Sequence, residues 1–284
     1  MPVAHNVQKF LEAYGAVIIT GASSGIGEGF LKTISTLNPK AHFFNLSRNI
    51  PAFSPDNARL EHFTADLSSE VGQDAAITAA WKWLEGKGSA GSILLINNSG
   101  FGAYGSFQEL DTKQSLQMVD LNVRAPVALT AKLLPKLLER GGAVVNIASI
   151  AAFQPTPLMS VYGATKAFVL NWSLGLWQDL RETKVHALCV CPGPTSTNFF
   201  RAAGFEAPPA PDWAGQNTQQ VVDESLNALA RRKPLVICGW INKAQVAISS
   251  RLPHALVSVL ARQNLDKFRV KSLAGQRSKN TVRQ

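Results

Sequence analysis

Three side chains in this 284-residue sequence have the types and spacing for proton transfer: Ser149, Tyr162 and Lys166. Tyr162 and Lys166 lie four apart, which on a helix puts both side chains on one face. Ser149 follows an apolar run, Ala143 to Ala148, that reads as a buried strand, so it stands at a strand's C-terminal end. A loop holding Pro155 and Pro157 separates it from a long helical pattern that carries the pair. A serine facing a Tyr–Lys pair is a candidate proton-transfer site. Tyr and Lys at this spacing also occur by chance, so the surrounding elements must say what the set would act on.

Those elements start near the N-terminus. Gly15 to Thr20 reads as a short apolar strand that runs into Gly21-Ala22-Ser23-Ser24-Gly25-Ile26-Gly27 and a helix through Leu37, ended by Pro39. Strand, glycine turn and helix form a phosphate-binding crossover. Gly21 lets the chain turn sharply, Gly25 lets main chain approach a pyrophosphate, Gly27 lets helix and strand pack closely, and the helix N-terminus offers its N–H groups. The spacing is GxxxGxG, not the commoner GxGxxG, and a glycine loop taken singly also fits a merely tight turn. A second strand, Ala41 to Leu46, ends in Ser47-Arg48-Asn49. At this point an acid takes the ribose 2′-hydroxyl of NAD, whereas a basic residue accommodates the 2′-phosphate of NADP. No acid is present and Arg48 is, its guanidinium suited to phosphate. The sequence therefore predicts NADP(H) over NAD(H); the competing reading of Arg48 is a solvated turn residue.

Leu60 to Thr64 reads as a third strand, followed by Ala65-Asp66-Leu67. Asp66 either faces an adenine amino group or caps the helix predicted from near Ser68 to Glu85. Ser92 to Asn97 is a fully apolar fourth strand, as the centre of a parallel sheet requires, and leads into Asn97-Asn98-Ser99-Gly100-Phe101-Gly102. A long helix is predicted over Thr112 to Arg140, with Asn122 as the polar interruption. The fifth strand ends at Ser149, and the helix after Tyr162 carries Phe168, Trp172, Leu176 and Leu180 for packing or subunit contact. Lys184 to Cys191 is the sixth strand, stopping at Pro192-Gly193-Pro194-Thr195-Ser196-Thr197. Phe199 to Gln216 reads as a mobile flap, Thr218 to Arg232 as a helix and Leu235 to Cys238 as a last strand. The alternation predicts an α/β fold with a single doubly wound parallel sheet spanning residues 1–240.

Residues 241–275 depart from that pattern as a C-terminal helical extension of the same domain. Ile241, Ala244, Ile248, Leu252, Leu256 and Val259 form an apolar stripe beside Lys243, Arg251 and Arg262, with Pro253 kinking or splitting the helix. The stripe fits a helix over the substrate side or a dimer edge, or weak peripheral attachment to an anionic membrane. Residues 276–284 read as disordered. The net charge is +9, yet Arg251 to Gln284 holds eight Lys/Arg and one acid, a net +7. The body is nearly neutral, which argues against a nucleic-acid-binding core. Three cysteines and five scattered histidines show no metal-ligand spacing, so no metal is expected, and a reduced, cytoplasmic setting is. The N-terminus lacks the pattern of a signal peptide, and no apolar run approaches the roughly 20 residues of a membrane span.

With these residues in order (Thr20 to Gly27, Asp66-Leu67, Asn97-Asn98-Ser99-Gly100, Asn122, Ser149, Tyr162-x-x-x-Lys166 and Pro192-Gly193), the sequence resembles the short-chain dehydrogenase/reductases. The match runs from about residue 16 to 240. The texture around Phe153-Gln154-Pro155, Tyr162 to Phe168 and Cys191 to Phe200 is similar to the DltE-like short-chain oxidoreductases, and Ser99 replaces the family's usual alanine. The resemblance implies a Rossmann-type fold and a catalytic set of Asn122, Ser149, Tyr162 and Lys166. Tyr162 would be the acid or base at the carbonyl oxygen. A free tyrosine has a pKa of about 10, so work as a base near pH 7 asks for a shift of roughly 3 units. Lys166 would favour the phenolate and bind the nicotinamide ribose, Ser149 would polarise the carbonyl, and Asn122 would hold a relay water. The implied cofactor set is Gly21, Ser23, Ser24, Gly25, Ile26, Gly27, Ser47, Arg48, Asp66, Leu67, Asn98, Ser99, Gly100, Tyr162, Lys166, Pro192, Gly193, Thr195 and Thr197. Phe101, Phe153, Met159, Phe199, Phe200, Phe205 and Trp213 flank this site and predict a small-molecule apolar carbonyl or alcohol substrate. A homodimer or homotetramer is expected. The alternative is a non-catalytic NADP-binding sensor or scaffold on the same fold.

Overall fold

The computed structural model describes residues 5–55, 59–205 and 215–266. Seven strands form one sheet: β1 Tyr14–Thr20, β2 His42–Ser47, β3 Leu60–Thr64, β4 Ser92–Asn97, β5 Gly142–Ile147, β6 Val185–Cys191 and β7 Leu235–Ile237. Across the sheet they run β3-β2-β1-β4-β5-β6-β7, every neighbouring pair parallel. This is the doubly wound, Rossmann-type architecture that the alternating apolar runs predict. The chain order reverses between β1 and β4, and in such sheets the ligand crevice opens beyond the carboxyl ends of the strands at that reversal.

Helices cover both faces, which is why the central strands are apolar at nearly every position. They are α1 His5–Leu11, α2 Gly25–Leu37, α3 Glu70–Glu85, α4 Thr112–Val119, α5 Ala125–Arg140, α6 Ser160–Asp179, α7 Phe199–Ala202, α8 Thr218–Ala230 and α9 Trp240–Ser249, with residues 254–266 also helical. The two-residue period of a strand sends Val17 and Ile19 to one face and Ile18 to the other. Val17, Ile19, Leu94 and Val145 pack with Phe30 and Ile34 of α2 and Val222 and Leu226 of α8. Ile18, Leu95 and Val144 pack with Ile77 and Ala80 of α3 and Leu129 and Leu133 of α5. No described helix is long and apolar enough to cross a membrane.

Three features differ from the sequence reading. Residues before β1 form α1, which buries Val7 and Leu11 against the core; seven residues give too short a period to read. The single helix expected over Thr112 to Arg140 is α4 and α5 joined by a π-helical turn, Asp120–Arg124. Such one-residue insertions concentrate at functional sites, and this one turns Asn122 inward. The cap of α3 is Ser69, which accepts from Gly72 N, and not Asp66. Pro253 does separate α9 from residues 254–266, as a residue with fixed φ and no N–H should. Within the expected flap, α7 occupies Phe199–Ala202, and residues 206–214, Trp213 among them, lie outside the described residues, as do the basic residues beyond 266 and the expected disordered tail.

Candidate active site

β5 delivers Ser149 to the carboxyl edge of the sheet. There its Oγ caps a short 3-10 turn, Ile150–Phe153, by accepting from Ala151 N at 3.1 Å. Tyr162, in the first turn of α6, shares a side-chain hydrogen bond with Ser149. Lys166, one turn on, is 6% exposed; its Nζ donates to Ile147 O at 2.8 Å and lies 5.8 Å from the centre of the Tyr162 ring. The three residues expected to work together are therefore together. Burial pushes the Tyr162 phenol up to about 12, against the lowering effect of the Ser149 hydrogen bond. Burial pulls the Lys166 ammonium down to about 8. At pH 7 the site thus holds a protonated phenol beside a charged lysine.

Asn122 sits behind this set. Its Oδ1 accepts from Phe101 N at 3.1 Å, while its Nδ2 donates to Phe101 O at 2.9 Å and to Thr165 Oγ1 at 3.0 Å. Both ends of the amide are committed, so its side chain fixes the loop after β4 against α6. A polar string runs beneath: Asn97 Nδ2 donates to Asn146 Oδ1 at 2.8 Å, and Asn146 Nδ2 to Ser173 Oγ at 2.9 Å. It ties β4 and β5 to α6, the helix that carries Tyr162 and Lys166.

The glycine turn is built as its residues require. Gly21 and Gly25 have φ of 73° and 58°, where glycine is favoured. A Cβ on Gly27 would stand 2.3 Å from Gly21 O, so the start of α2 can lie against the turn only without a side chain. Asn45 of β2 holds the turn by accepting from Ala22 N at 2.9 Å. Asn98 Nδ2 donates to Thr20 O and Gly21 O, linking the ends of β1 and β4. Ser99 packs its hydroxyl toward Gly21, where an added Cβ would meet it at 2.8 Å.

One cleft of about 1180 Å³ joins these parts. It exceeds the roughly 300–1,000 Å³ usual for a single small ligand. Of the expected cofactor residues all but Gly27 line it, as do Ser149, Tyr162 and Lys166; Gly27 and Asn122 support it from behind. Exposed Arg48 and Asp66 mark its far end. Asp66 accepts from Ser68 N and Oγ, and these bonds, with the nearby Arg48 charge, hold its carboxyl below the usual range. Thr195 Oγ1 donates to Gly193 O at 3.0 Å, and Thr197 reaches across so that its methyl would meet a Cβ on Gly25 at 3.2 Å. Phe101, Met159, Phe199 and Phe200 line the cleft as expected, whereas Phe153 and Phe205 do not: Phe153 packs against the buried cluster of Ala148, Val169, Leu170, Cys189 and Cys191, and the Phe205 ring centre lies 4.2 Å from that of Tyr104. The cysteines are buried, free and outside the cleft.

The residues present fit a dinucleotide. Ser24, the N-cap of α2, makes no side-chain capping bond, which leaves first-turn N–H groups beside the cleft for an anion. Sequence reasoning missed Asn45 and Asn146, although a polar residue inside a buried strand must find a partner and so announces a structural role. It also missed Asn242 of α9, 3% exposed, whose Nδ2 donates to Cys238 O at 2.6 Å and whose amide occupies the space above Gly193.

The buried lysine carries a measurable signature. Lys166 holds its proton less tightly in the folded protein than in the unfolded chain, so between pH about 8 and 10.5 the unfolded state binds more protons and stability rises with pH. Lys166→Met removes that contribution. The stability of the natural protein relative to this variant, read from urea midpoints, should increase across that window and be constant below it.

Residues 15–206 match the family model described as short chain dehydrogenase. Serine 3-dehydrogenase of Rhizobium radiobacter is 34% identical over 194 residues, covering 65% of this chain and 74% of its own. A short-chain dehydrogenase from Sphingobium yanoikuyae, solved in complex with NADPH, is 28% identical with a TM-score of 0.71 over 84% of this chain and 97% of its own. The bulky-bulky ketone specific alcohol dehydrogenase from Comamonas testosteroni is 26% identical, with a TM-score of 0.67 over 86% and 96%. The family match ends before α8, α9 and residues 254–266.

Proposed function

This chain belongs to the short chain dehydrogenase family, and on that premise we propose an NADP(H)-dependent oxidoreductase that acts on the C=O or CH–OH group of a bulky, uncharged, apolar substrate. The observation that carries the proposal is the Ser149–Tyr162–Lys166 set, its tyrosine and lysine buried and its serine half-buried, in the wall of a cleft that also takes in the glycine turn. Main chain at Gly21 to Ile26 and the N-terminus of α2 hold the pyrophosphate, Arg48 the 2′-phosphate, Lys166 the nicotinamide ribose, and Thr195 and Thr197 the carboxamide. The bound nicotinamide supplies or accepts the hydride. Ser149 hydrogen-bonds the substrate oxygen, Tyr162 gives it a proton, and the Lys166 charge stabilises the phenolate left behind. Asn122 positions the loop and the helix around them. Because burial keeps the phenol protonated, the resting site is poised for carbonyl reduction.

Apolar specificity rests on the cleft wall beyond Tyr162. Phe101, Met159, Phe199 and Phe200 line it, together with Leu252, Val257 and Leu260 of the C-terminal stretch. Among the described residues the charged groups lining the cleft are Arg48, Asp66 and Lys166, all assigned above. A carboxylate on the substrate would be buried without a partner, at a cost of several kcal/mol. The chain is proposed to work as a homodimer or homotetramer in the cytoplasm, with exposed Phe168, stacked on Trp172 of α6, as subunit surface.

The test is a panel of bulky ketones, small hydroxy acids, amino acids and sugars with NADPH and NADH. Bulky ketones should be reduced with kcat/KM at least about 100-fold above any acid, the discrimination that leaving a buried charge unpaired supports. Turnover of serine or a sugar with inert ketones would overturn the apolar reading.

A further inference from the structure

We propose that the outer side of α9 and of residues 254–266 docks on an anionic lipid surface and presents the apolar end of the cleft to it. The docking stands on geometry and charge; its purpose, uptake of an apolar substrate from the bilayer, rests on the reading above.

Both helical stretches are two-sided. Inward, Ile241 of α9, Leu252 of the link, and Val257 and Leu265 of the second stretch line the cleft. Outward, Trp240 is 77% exposed, Val259 55% and Leu256 46%. Ile248 and Leu260 belong to both sides: they line the cleft and are 64% and 45% exposed. Ile248 and Leu260 therefore put exposed apolar surface at the edge of the cleft itself. Scattered exposed apolar residues are ordinary, but a patch continuous with a binding cleft marks a contact surface. An exposed tryptophan suits the headgroup layer, where an apolar ring meets a polar N–H.

Charge selects the occupant. Arg251 has no acidic partner among the described residues, and the sequence from Arg251 to Gln284 carries a net +7. A basic segment next to an apolar helix face is drawn to anionic lipid. Six of that segment's eight basic residues follow residue 266 in the sequence, directly after this helical stretch. Because no described helix can span a bilayer, the contact is an in-plane, peripheral one. A substrate that partitions into lipid then reaches Tyr162 across the Ile248–Leu260 rim without passing through water.

The test is co-sedimentation of the full chain with phosphatidylcholine vesicles, with and without phosphatidylglycerol, at low and high salt. Binding is expected to the anionic vesicles, with release at high salt as screening sets in. A triple variant, Trp240→Ser with Leu256→Ser and Val259→Ser, should bind at least about 10-fold more weakly, since the apolar area drives insertion. None of the three lines the cleft, so its reduction of a water-soluble ketone should be unchanged, and retained NADPH binding checks that it folds. No binding to either vesicle, or equal binding by the variant, overturns the proposal. So does a dimer that the variant dissolves, which would assign the patch to a second copy. Vesicle binding needs no turnover, so an inactive protein that binds lipid would sink the enzymatic reading and leave the docking intact.

Discussion

Tyr162→Phe is expected to lower reduction of a bulky ketone by about 10³-fold, within the roughly 10² to 10⁴-fold range of a positioned general acid, while NADPH affinity changes by less than about 2-fold. The substitution is close to minimal. A phenylalanine ring can keep the contact with Phe199, whose ring centre is 5.2 Å away, and the place beside Lys166. What is lost is one hydroxyl and its hydrogen bond to Ser149. The affinity should hold because the glycine turn, the Arg48 end and the Pro192–Thr197 loop are untouched. Single-turnover rates and NADPH fluorescence titrations separate the outcomes. Activity above about a tenth of the natural rate, where a general acid should be worth far more, would move the reading to an NADP-binding sensor or scaffold. Loss of NADPH binding together with activity would mean that the hydroxyl helps to hold the cofactor and is not only a proton donor.

The sheet was readable because a parallel sheet covered on both faces writes itself as separated apolar runs, and each run here became a strand within one or two residues at its ends. The catalytic set was readable for a different reason. Ser149, Tyr162 and Lys166 belong to one contiguous strand–loop–helix segment, so their approach depends on local geometry and not on long-range packing. Arg48 and the glycine turn came from the same kind of local logic, one at a strand end and one at a helix start. What stayed hidden depends on contacts between distant segments. Asn242 lies 49 positions after Gly193 in the chain, and nothing in either segment says that an amide will take the place of a Cβ there. Part of the cleft wall comes from α9 and residues 254–266, whose apolar stripe fitted a substrate cover or a dimer edge first and a membrane contact second. Helical periodicity reports that a face is apolar and not what it meets. The π-helical turn at Asn122 was likewise invisible, because a one-residue insertion leaves the apolar pattern on both sides intact.

Arg48→Asp should weaken NADPH binding by about 100-fold or more and leave NADH within about 3-fold, or improve it. Arg48 is the residue for this test because its side chain is exposed and forms no salt bridge among the described residues, so removing it costs the fold little. A charge-assisted hydrogen bond is worth about 1.5–3 kcal/mol, and tenfold in affinity is about 1.4 kcal/mol, so loss of the guanidinium supplies up to about two decades. Placing a carboxylate there adds repulsion of the 2′-phosphate. Asp66 sharpens the effect: its carboxyl, held low first by Ser68 and then by Arg48, stays ionised at the same end of the cleft. The variant would present two negative charges where the natural protein presents one of each sign. With NADH the same carboxylate can accept from the ribose 2′-hydroxyl, which is why the loss should be confined to the phosphorylated cofactor. Ionic strength gives an independent reading. NADPH affinity of the natural protein should fall with added salt more steeply than NADH affinity, and in the variant the difference should shrink. Equal losses for both cofactors would show that Arg48 supports the loop after β2 and not the phosphate, and the NADP preference would fall with it.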